Sequence, residues 1–446
     1  MKMRISWLEI SERIKHELRQ REEEGNNVLE LCSEWSQIEK LGLSESELKM
    51  QSELFYRKLE ETPSEVKNES NEPNSWNEIV KQCNIKADTI LSFSTSFIDD
   101  RILGGWLGRC AGCLLGKPVE KTTRSGIIEL LSSNGTWPIS DYISGIGIPD
   151  LLLKKYPWNK HNGKESLKEN IVCMPEDDDM NYPMLNLSVY ERYGEELTTE
   201  NIIQKWMEML PVLSTFTAER VAYVNYLNGI QPPKTAHVRN PYREWIGAQI
   251  RADFWGWVSP TQPARAAEFA WRDACLSHVR NGVYGEIFFA AAVAASFKYD
   301  NVLDVINEAI SFVPSQSRFA EAIRYVLSLP IHEQSWDDTL DILYKQFGHY
   351  HWVHTINNAA LVVAALLSSK GDYEKAICNV VMGGWDTDSN GATVGSIMGT
   401  MLGAKKLPSK WISPLNNKIR SSLKGFDNAL LSDLAKRTSK LSKYLY

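Results

Sequence analysis

Two short runs of acidic residues are the positions in this sequence where chemistry is most easily recognised. They are Glu176-Asp177-Asp178-Asp179 and Asp386-Thr387-Asp388-Ser389. Adjacent carboxylates repel one another unless positive charge neutralises them. Carboxylate and hydroxyl oxygens are also the ligands that Mg²⁺ and Mn²⁺ prefer. Together the two runs predict a site for hard divalent cations.

Each acidic run precedes a segment with helical periodicity. Met180, Met184 and Leu187 follow the first run at helical spacing, and a glycine-rich segment follows the second. The start of a helix favours negative charge because of its macrodipole and its unpaired N–H groups. A simple helix cap therefore stays open as the alternative to a metal site.

Two segments carry glycine at every fourth position. On a helix this spacing lays a stripe without side chains along one face, at a cost of about 1 kcal/mol per glycine relative to alanine. Only close packing of backbones offsets such a cost, so we expect the two helices to touch each other or a common partner. The stripes are Gly104, Gly108, Gly112 and Gly116, and Gly391, Gly395, Gly399 and Gly403.

The composition excludes several classes of protein. The net charge of -7 disfavours bulk binding to nucleic acid, which depends on clustered Lys and Arg. No apolar stretch reaches the roughly 18 to 20 residues that span a bilayer, and the N-terminal segment lacks the apolar core of a signal peptide. The 7 cysteines are odd in number and scattered, which predicts free thiols and a cytoplasmic location.

The chain divides into two parts by its patterning. Residues 1–98 form a predicted helical N-terminal extension with amphipathic periodicity and a polar linker near residues 61–75. Residues 99–446 show long segments with periodic apolar positions and little alternation typical of strands. We therefore expect an all-α fold, with one compact multi-helix domain following the extension.

Two polar turns precede strongly apolar helices and supply candidate substrate ligands. A turn with small and polar residues suits hydrogen bonding to a phosphate or a ribose, although an ordinary helix start explains it equally well. Trp255-Gly256-Trp257 also offers rings that could stack on a base, but a core role is favoured. The candidates in the turns are His278, Asn281, Gly282, Tyr284 and Gly285, and His354 and Asn358.

Four blocks occur in an order that resembles the ADP-ribosylglycohydrolase family. The resemblance covers roughly residues 99–440, nearly the whole predicted main domain. The blocks are DRILGGWLGRCAGCLLGKPVE, PEDDDM, SHVRNGVYGEIFFAAAVAASF and GGWDTDSNGATVGSIMGTMLGA.

The resemblance implies an all-helical domain with a centre of two divalent cations, Mg²⁺ or Mn²⁺. On the positions that match the family's motifs, the implied metal ligands are Glu176, Asp177, Asp178, Asp386, Asp388 and Ser389. The implied catalytic residues are Asp177, Asp178 and Glu120, and Trp385 joins the candidate substrate ligands.

Four residues depart from the family's usual pattern. Cys113 stands where an aspartate is common, Glu176 and Asp179 replace threonines, and Trp385 lies between the glycine pair and Asp386. These changes predict an altered substrate or metal preference.

The implied reaction is hydrolysis of the glycosidic bond at C1 of a ribose, in an ADP-ribosylated protein or a small ADP-ribosyl or ribosyl compound. Two other functions stay open at this point. One is a two-metal phosphoester hydrolase, and the other is a non-catalytic, crystallin-like or regulatory member with the same fold.

Overall fold

The computed structural model describes residues 5–63, 69–85, 91 and 93–442, and its regular structure is almost entirely helical. The prediction of an all-α fold is confirmed. Residues Lys418–Ile419 and Ala429–Leu430 form two very short antiparallel strands, β1 and β2. The helices before residue 94 are α1 (Ile10–Glu23), α2 (Leu29–Lys40), α3 (Glu45–Glu61) and α4 (Trp76–Gln82).

Eighteen further α-helices follow in the described part of the chain. They are α5 (Thr95–Gly116), α6 (Arg124–Ser133), α7 (Asp150–Lys155), α8 (Asp178–Tyr193), α9 (Thr199–Met209), α10 (Thr217–Leu227), α11 (Lys234–His237), α12 (Ala252–Trp257), α13 (Pro263–Ala274), α14 (Asn281–Ala295), α15 (Val302–Ala309), α16 (Arg318–Ser328), α17 (Trp336–Phe347), α18 (Thr355–Ser369), α19 (Tyr373–Met382), α20 (Thr387–Leu402), α21 (Ser409–Ile412) and α22 (Leu431–Ser442).

The glycine stripes of α5 and α20 pack directly against each other, which is one of the two arrangements that their spacing predicts. A Cβ atom added at Gly104, Gly108 or Gly112 would lie 2.2, 2.2 or 1.9 Å from a backbone oxygen of α20. The facing residues run in opposite order, from Gly399 opposite Gly104 to Gly391 opposite Gly112. The two helices are therefore antiparallel, and the C-terminal end of α5 meets the N-terminal end of α20.

Two further helices, α14 and α18, pack against α20 in the interior of the domain. Every residue of α14 and of α18 is buried, and in α20 only Leu402 is not. A helix that is apolar on all faces belongs in the interior of a large domain. The packing of α14, α18 and α20 thus forms the centre of the main core.

The N-terminal extension has a small core of its own and ionic contacts to the rest of the chain. Arg243 Nη1 lies 2.7 Å from Glu17 Oε2 of α1, and Gln20 Nε2 donates to Glu244 Oε2 at 3.0 Å. The small core consists of Ile10, Ile14, Leu18, Val28, Trp35, Phe55, Tyr56 and Leu59.

The predicted polar linker falls partly outside the described residues, since 64–68 are not among them. Within the described part of this segment, Glu72 is 1% exposed and accepts hydrogen bonds from Arg318, so residue 72 is packed against the rest of the chain. The division of the chain at residues 98 and 99 stays a prediction.

No helix among the described residues combines the length and the apolar character needed to cross a bilayer. All 7 cysteines are free thiols, in agreement with their scattered spacing. Burial raises the pKa of both Cys110 and Cys113, which does not favour thiolate chemistry at this pair.

The close contact of the glycine stripes predicts a large effect of one added methyl group. Gly112→Ala places a Cβ 1.9 Å from Gly391 O, so the helices must separate. We expect unfolding in urea to show a loss of about 3 kcal/mol in the free energy of unfolding.

Gly126→Ala in α6 is the matched control. Its added methyl meets only side-chain atoms of Tyr156 and Thr122, at 2.8 and 2.9 Å, and these can move aside. We expect a change within about 1 kcal/mol for the control. Equal stabilities of the two variants would contradict the proposed role of the stripe.

Candidate active site

Three chain segments meet where the glycine contact ends. The C-terminal end of α5 continues into a 3-10 turn, Lys117–Val119, and then to Glu120. Thr387 Oγ1 in the first turn of α20 donates a hydrogen bond of 2.8 Å to Gly116 O. The start of α8, with Asp177 as its N-cap, is the third segment. The structure thus brings both acidic runs together with the GKPVE motif.

The carboxylates at this junction form two overlapping groups that share Asp388. Within each group, one ligand atom per residue lies within 4.8 Å of the others. The first group is Glu120, Asp386 and Asp388, and the second is Asp177, Asp179 and Asp388 with the Cys113 thiol. Each of these spacings suits a metal ion, so the acidic cluster has the donor set for binding cations.

A buried lysine lies between these carboxylates. Lys117 Nζ is 2.6 Å from Asp388 Oδ2, 2.7 Å from Asp177 Oδ2 and 3.2 Å from Glu120 Oε2. The contact with Asp388 has hydrogen-bond geometry, whereas that with Asp177 is an ion pair by distance. Burial lowers the pKa of Lys117, but Asp177 and Asp388 raise it more, to well above its usual range. The lysine is therefore a charged ammonium.

A buried arginine from the middle of α5 holds the start of α8. Arg109 is fully buried, and its Nη2 and Nε donate to Asp179 O at 2.7 and 3.1 Å. Its Nη1 lies 2.5 Å from Asp253 Oδ2, and its Nη2 lies 3.2 Å from Asp179 Oδ1. Because Ser389 Oγ donates to Asp179 Oδ2 at 3.0 Å, Asp179 is occupied by partners on both oxygens.

The remaining acids repel one another strongly. Burial, followed by Asp177 and Asp179, raises the pKa of Asp178 well above its usual range. Burial and the negative charge of Asp388 likewise raise the pKa of Asp386 well above its usual range. Asp388 Oδ1 is buried and accepts no hydrogen bond. A cation bound here would supply the missing charge and the missing partner, so the residues present fit a metal.

The Glu176 carboxylate does not join the acids that follow it in the early acidic run. Its carboxylate contacts His161 Nε2 at 2.7 Å and accepts hydrogen bonds from Asn181 Nδ2 and Ser422 Oγ at 2.8 and 2.9 Å. Burial opposes ionisation, but these hydrogen bonds lower the pKa of Glu176 to about 2. The structure therefore places Glu176 outside both groups of potential metal ligands.

An open cleft leads to the acids, and its walls are aromatic. The part of its lining that holds the acids, here called the acidic floor, consists of Asp178, Asp179, Asp386, Asp388, Glu120, Lys117 and Ser389. Four aromatic side chains, here called the aromatic walls, also line the cleft: Trp7, Phe216, Trp245 and Trp352. Trp7 belongs to the N-terminal extension and packs edge-on against Trp245, with ring centroids 6.4 Å apart. The cleft thus combines an acidic floor with flat apolar walls.

Five of the predicted substrate ligands lie away from this cleft. Asn281 donates to Glu72 and Glu244, and Tyr284 Oη donates to Pro73 O at 2.6 Å. His278 is 1% exposed and lies beside Ser277. Gly282 and Gly285 sit against the backbone of Arg243 and the hydroxyl of Thr355, respectively. These contacts serve packing, and a role in substrate binding stays a prediction.

Of the other three predicted substrate ligands, Asn358 contacts Asp386, Trp385 precedes it in the chain, and His354 lies at the start of α18. Asn358 Oδ1 accepts from the Asp386 N–H at 3.2 Å. His354 caps α18 by accepting from the Ile356 N–H, and the Trp385 ring stacks on that of Tyr344 with centroids 4.6 Å apart. None of the three lines the cleft described above.

The Trp255 and Trp257 side chains are fully buried, in accordance with the favoured core interpretation. Their indole N–H groups donate to Asp273 Oδ2 and Thr400 Oγ1, each at 3.1 Å. Both rings are therefore packed and satisfied inside the domain.

Sequence reasoning missed Lys117, Arg109 and the aromatic walls. The sequence carries one signal for each of the two charged residues. Lys117 lies inside the GKPVE motif, and Arg109 is a single charge within an otherwise apolar, glycine-striped segment. No local signal marks Trp7, because it lies far along the chain from the other cleft residues.

The comparisons with known proteins agree with this fold. The sequence profile of the ADP-ribosylglycohydrolase family matches residues 94–443. A solved structure described as an ADP-ribosylglycohydrolase-related protein complex is similar with a TM-score of 0.50 and 15% sequence identity. It covers 78% of this chain and 99% of its own, and at that identity the likeness concerns the fold alone. A comparison with curated proteins gives no match.

The buried position of Arg109 predicts a severe effect of its removal. Arg109→Met leaves Asp179 and Asp253 inside the protein without their cation. We expect a loss of about 3–5 kcal/mol in the free energy of unfolding, measured in urea.

Arg437→Met is the control, since Arg437 pairs with Glu191 on the surface at 2.7 Å. Its expected cost is below about 1 kcal/mol. A loss for Arg109→Met as small as that of the control would show that α8 does not depend on this arginine.

Proposed function

Because the chain belongs to the ADP-ribosylglycohydrolase family, we propose that it is a divalent-cation-dependent hydrolase that cleaves the glycosidic bond at C1 of a ribose. The substrate is an ADP-ribosylated protein or a small ADP-ribosyl or ribosyl compound. The observation that carries this proposal is the open cleft, which leads between aromatic walls to an acidic floor.

Glu120, Asp386 and Asp388 are the residues best suited to hold a cation. Their ligand atoms lie within 4.8 Å of one another, and Asp388 Oδ1 has no hydrogen-bond partner although it is buried. An all-oxygen donor set favours Mg²⁺ or Mn²⁺ over softer metals. When bound, such a cation supplies polarisation and orientation of the oxygen atoms at the reacting centre.

Asp178 is the better placed of the two aspartates that the sequence offers as proton acceptor. It is partly exposed and lines the cleft. Asp177, in contrast, caps α8 by accepting from the Asp179 N–H at 3.0 Å, and its other oxygen faces Lys117. Asp178 would take a proton from the attacking water while the water oxygen bonds to C1. The electron pair of the broken bond leaves with the aglycone.

The acidic floor also suits the charge that develops during this reaction. Cleavage at C1 of a ribose passes through a transition state of oxocarbenium character, with positive charge on the sugar ring. Fixed carboxylates such as Asp178 and Asp386 stabilise positive charge most effectively in a site with little water. The same acids that repel one another in the free protein would therefore favour the transition state.

The aromatic walls support a substrate that carries a flat ring. Trp7, Phe216, Trp245 and Trp352 line the same cleft as the acids. Stacking of a base on an aromatic side chain is worth about 1–3 kcal/mol. An ADP-ribosyl group, with its adenine ring, offers such a partner at one end and a ribose C1 at the other.

The proposed reaction predicts a defined product and a need for a divalent cation. We expect release of ADP-ribose or ribose from one or more of ADP-ribosyl-arginine, ADP-ribosyl-serine, ADP-ribosyl-nucleic acid, 1″-linked ADP-ribose compounds and nucleosides. Chelation should abolish the release. Asp386→Asn combined with Asp388→Asn should lower kcat on the order of 10²-fold or more.

Asp304→Asn, in the exposed first turn of α15, is the matched control and should leave kcat unchanged. Release of phosphate or AMP would favour a phosphoester hydrolase instead. Cation binding without turnover of any substrate would favour the non-catalytic alternative. Activity that survives chelation would contradict the cation-dependent mechanism.

Trp7 provides a separate test of the aromatic walls. Trp7→Ala removes a ring from the cleft without touching the acids, so we expect KM to rise about 10-fold with kcat little changed. Leu41→Ala, at an exposed position of the extension, is the control. A fall in kcat with unchanged KM would contradict a role of Trp7 in substrate binding.

A further inference from the structure

The environment of Lys117 is unusual because a permanent cation occupies a cluster with the donor set of a metal site. Its side chain is only 5% exposed, and the ammonium has three N–H donors. Three carboxylates surround it, those of Asp177, Asp388 and Glu120, at 2.7, 2.6 and 3.2 Å. The contacts with Asp388 and Glu120 are hydrogen bonds and the contact with Asp177 is an ion pair, so three negative charges compensate the buried ammonium.

The carboxylates of the second group already have partners. Asp179 is bound by Arg109 and Ser389. Asp177 Oδ1 accepts from a backbone N–H, and its Oδ2 lies 2.7 Å from Lys117 Nζ. The remaining member, Asp388, contacts the same ammonium through Oδ2. A cation between Asp177 and Asp388 would have to displace Lys117.

The position of Glu176 is a second, independent observation that argues against a divalent cation in the second group. It occupies the first position of the early acidic run, where the related family has a threonine, and its carboxylate turns away from the cluster. His161, Asn181 and Ser422 together occupy both of its oxygens. The second group, formed by Asp177, Asp179, Asp388 and Cys113, therefore already contains the ammonium of Lys117. It also lacks a possible oxygen ligand from Glu176.

The first group, formed by Glu120, Asp386 and Asp388, still has oxygen atoms that can bind a cation. Asp388 Oδ1 accepts no hydrogen bond, and Asp386, which is 5% exposed, offers a carboxylate oxygen within 4.8 Å of the ligand atoms of Asp388 and Glu120. Glu120 uses Oε2 for both Lys117 and Asn159, and its Oε1 faces only the exposed Lys121 at 3.4 Å. One oxygen from each of these three acids thus remains available for a cation.

We propose that the ammonium of Lys117 takes the place of one of the two expected divalent cations, so that the chain binds a single divalent cation at Glu120, Asp386 and Asp388. This inference rests on the proposed cation-dependent function. The lysine is attached to the turn at the end of α5, so its charge is present at every cation concentration. The active centre then consists of one exchangeable cation and one built-in cation.

The stoichiometry of Mn²⁺ binding tests this inference without any assay of activity. Purified protein is stripped with chelator, dialysed against Mn²⁺ and analysed for metal content. We expect one Mn²⁺ per chain and a six-line electron paramagnetic resonance spectrum of an isolated ion. Lys117→Met, which removes the charge but keeps the length of the side chain, should bind two ions and show the spectrum of a coupled pair.

Lys168→Met is the control, because Lys168 is an exposed lysine that pairs with Asp141 at 2.7 Å. It should bind one ion, as the unaltered chain does. Two ions in the unaltered chain would overturn the inference and leave the proposed function intact. One ion in both the unaltered chain and a folded Lys117→Met variant would also overturn it.

Absence of binding in the unaltered chain would overturn the inference and the cation dependence of the proposed function together. Thermal unfolding with and without Mn²⁺ establishes that each variant is folded. If Lys117→Met does not fold, the stoichiometry and spectrum of the unaltered chain still decide between one ion and two.

Discussion

The close contact between the glycine faces of α5 and α20 is the constraint on which the rest of the structure depends. It brings backbone atoms of the two helices so near that a methyl group at Gly112 would lie 1.9 Å from a backbone oxygen. Because the helices are antiparallel, this contact carries Lys117 and Glu120 to the same point as Asp386 and Asp388. Any side chain in the seam would move these charges apart, so glycine is retained despite its cost in helix propensity.

Two buried cations make the concentration of acids at this point possible. Arg109 binds the start of α8 through Asp179 and compensates Asp253, while Lys117 lies among the acids themselves. Removing charges from water costs several kcal/mol per ion, and only partners of opposite charge offset that cost. Under the proposed function, the remaining excess of negative charge would favour a divalent cation and a positively charged transition state.

The N-terminal extension takes part in the cleft, although the match to the family begins only at residue 94. Trp7 lines the cleft and contacts Trp245, and α1 is held to the main body by Glu17 and Arg243. The extension thus contributes to the surface that a substrate would meet. A segment outside the family's common region is a natural place for specificity, since it can vary without disturbing the glycine seam and the acids.

The sequence by itself determined the helical elements, the close backbone packing of the two glycine stripes and the two acidic runs at helix starts. These features depend on local periodicity and on residues close together in the chain, so they can be recognised directly in the sequence. Only the tertiary structure decided that Lys117 would enter the acidic cluster, that Glu176 would leave it and that Trp7 would reach the cleft. Such contacts join residues far apart in the chain, as in the pair Lys117 and Asp388, so they depend on how the helices pack. The packing of helices results from many side-chain contacts between distant parts of the chain. A short sequence motif therefore does not predict which distant residues meet.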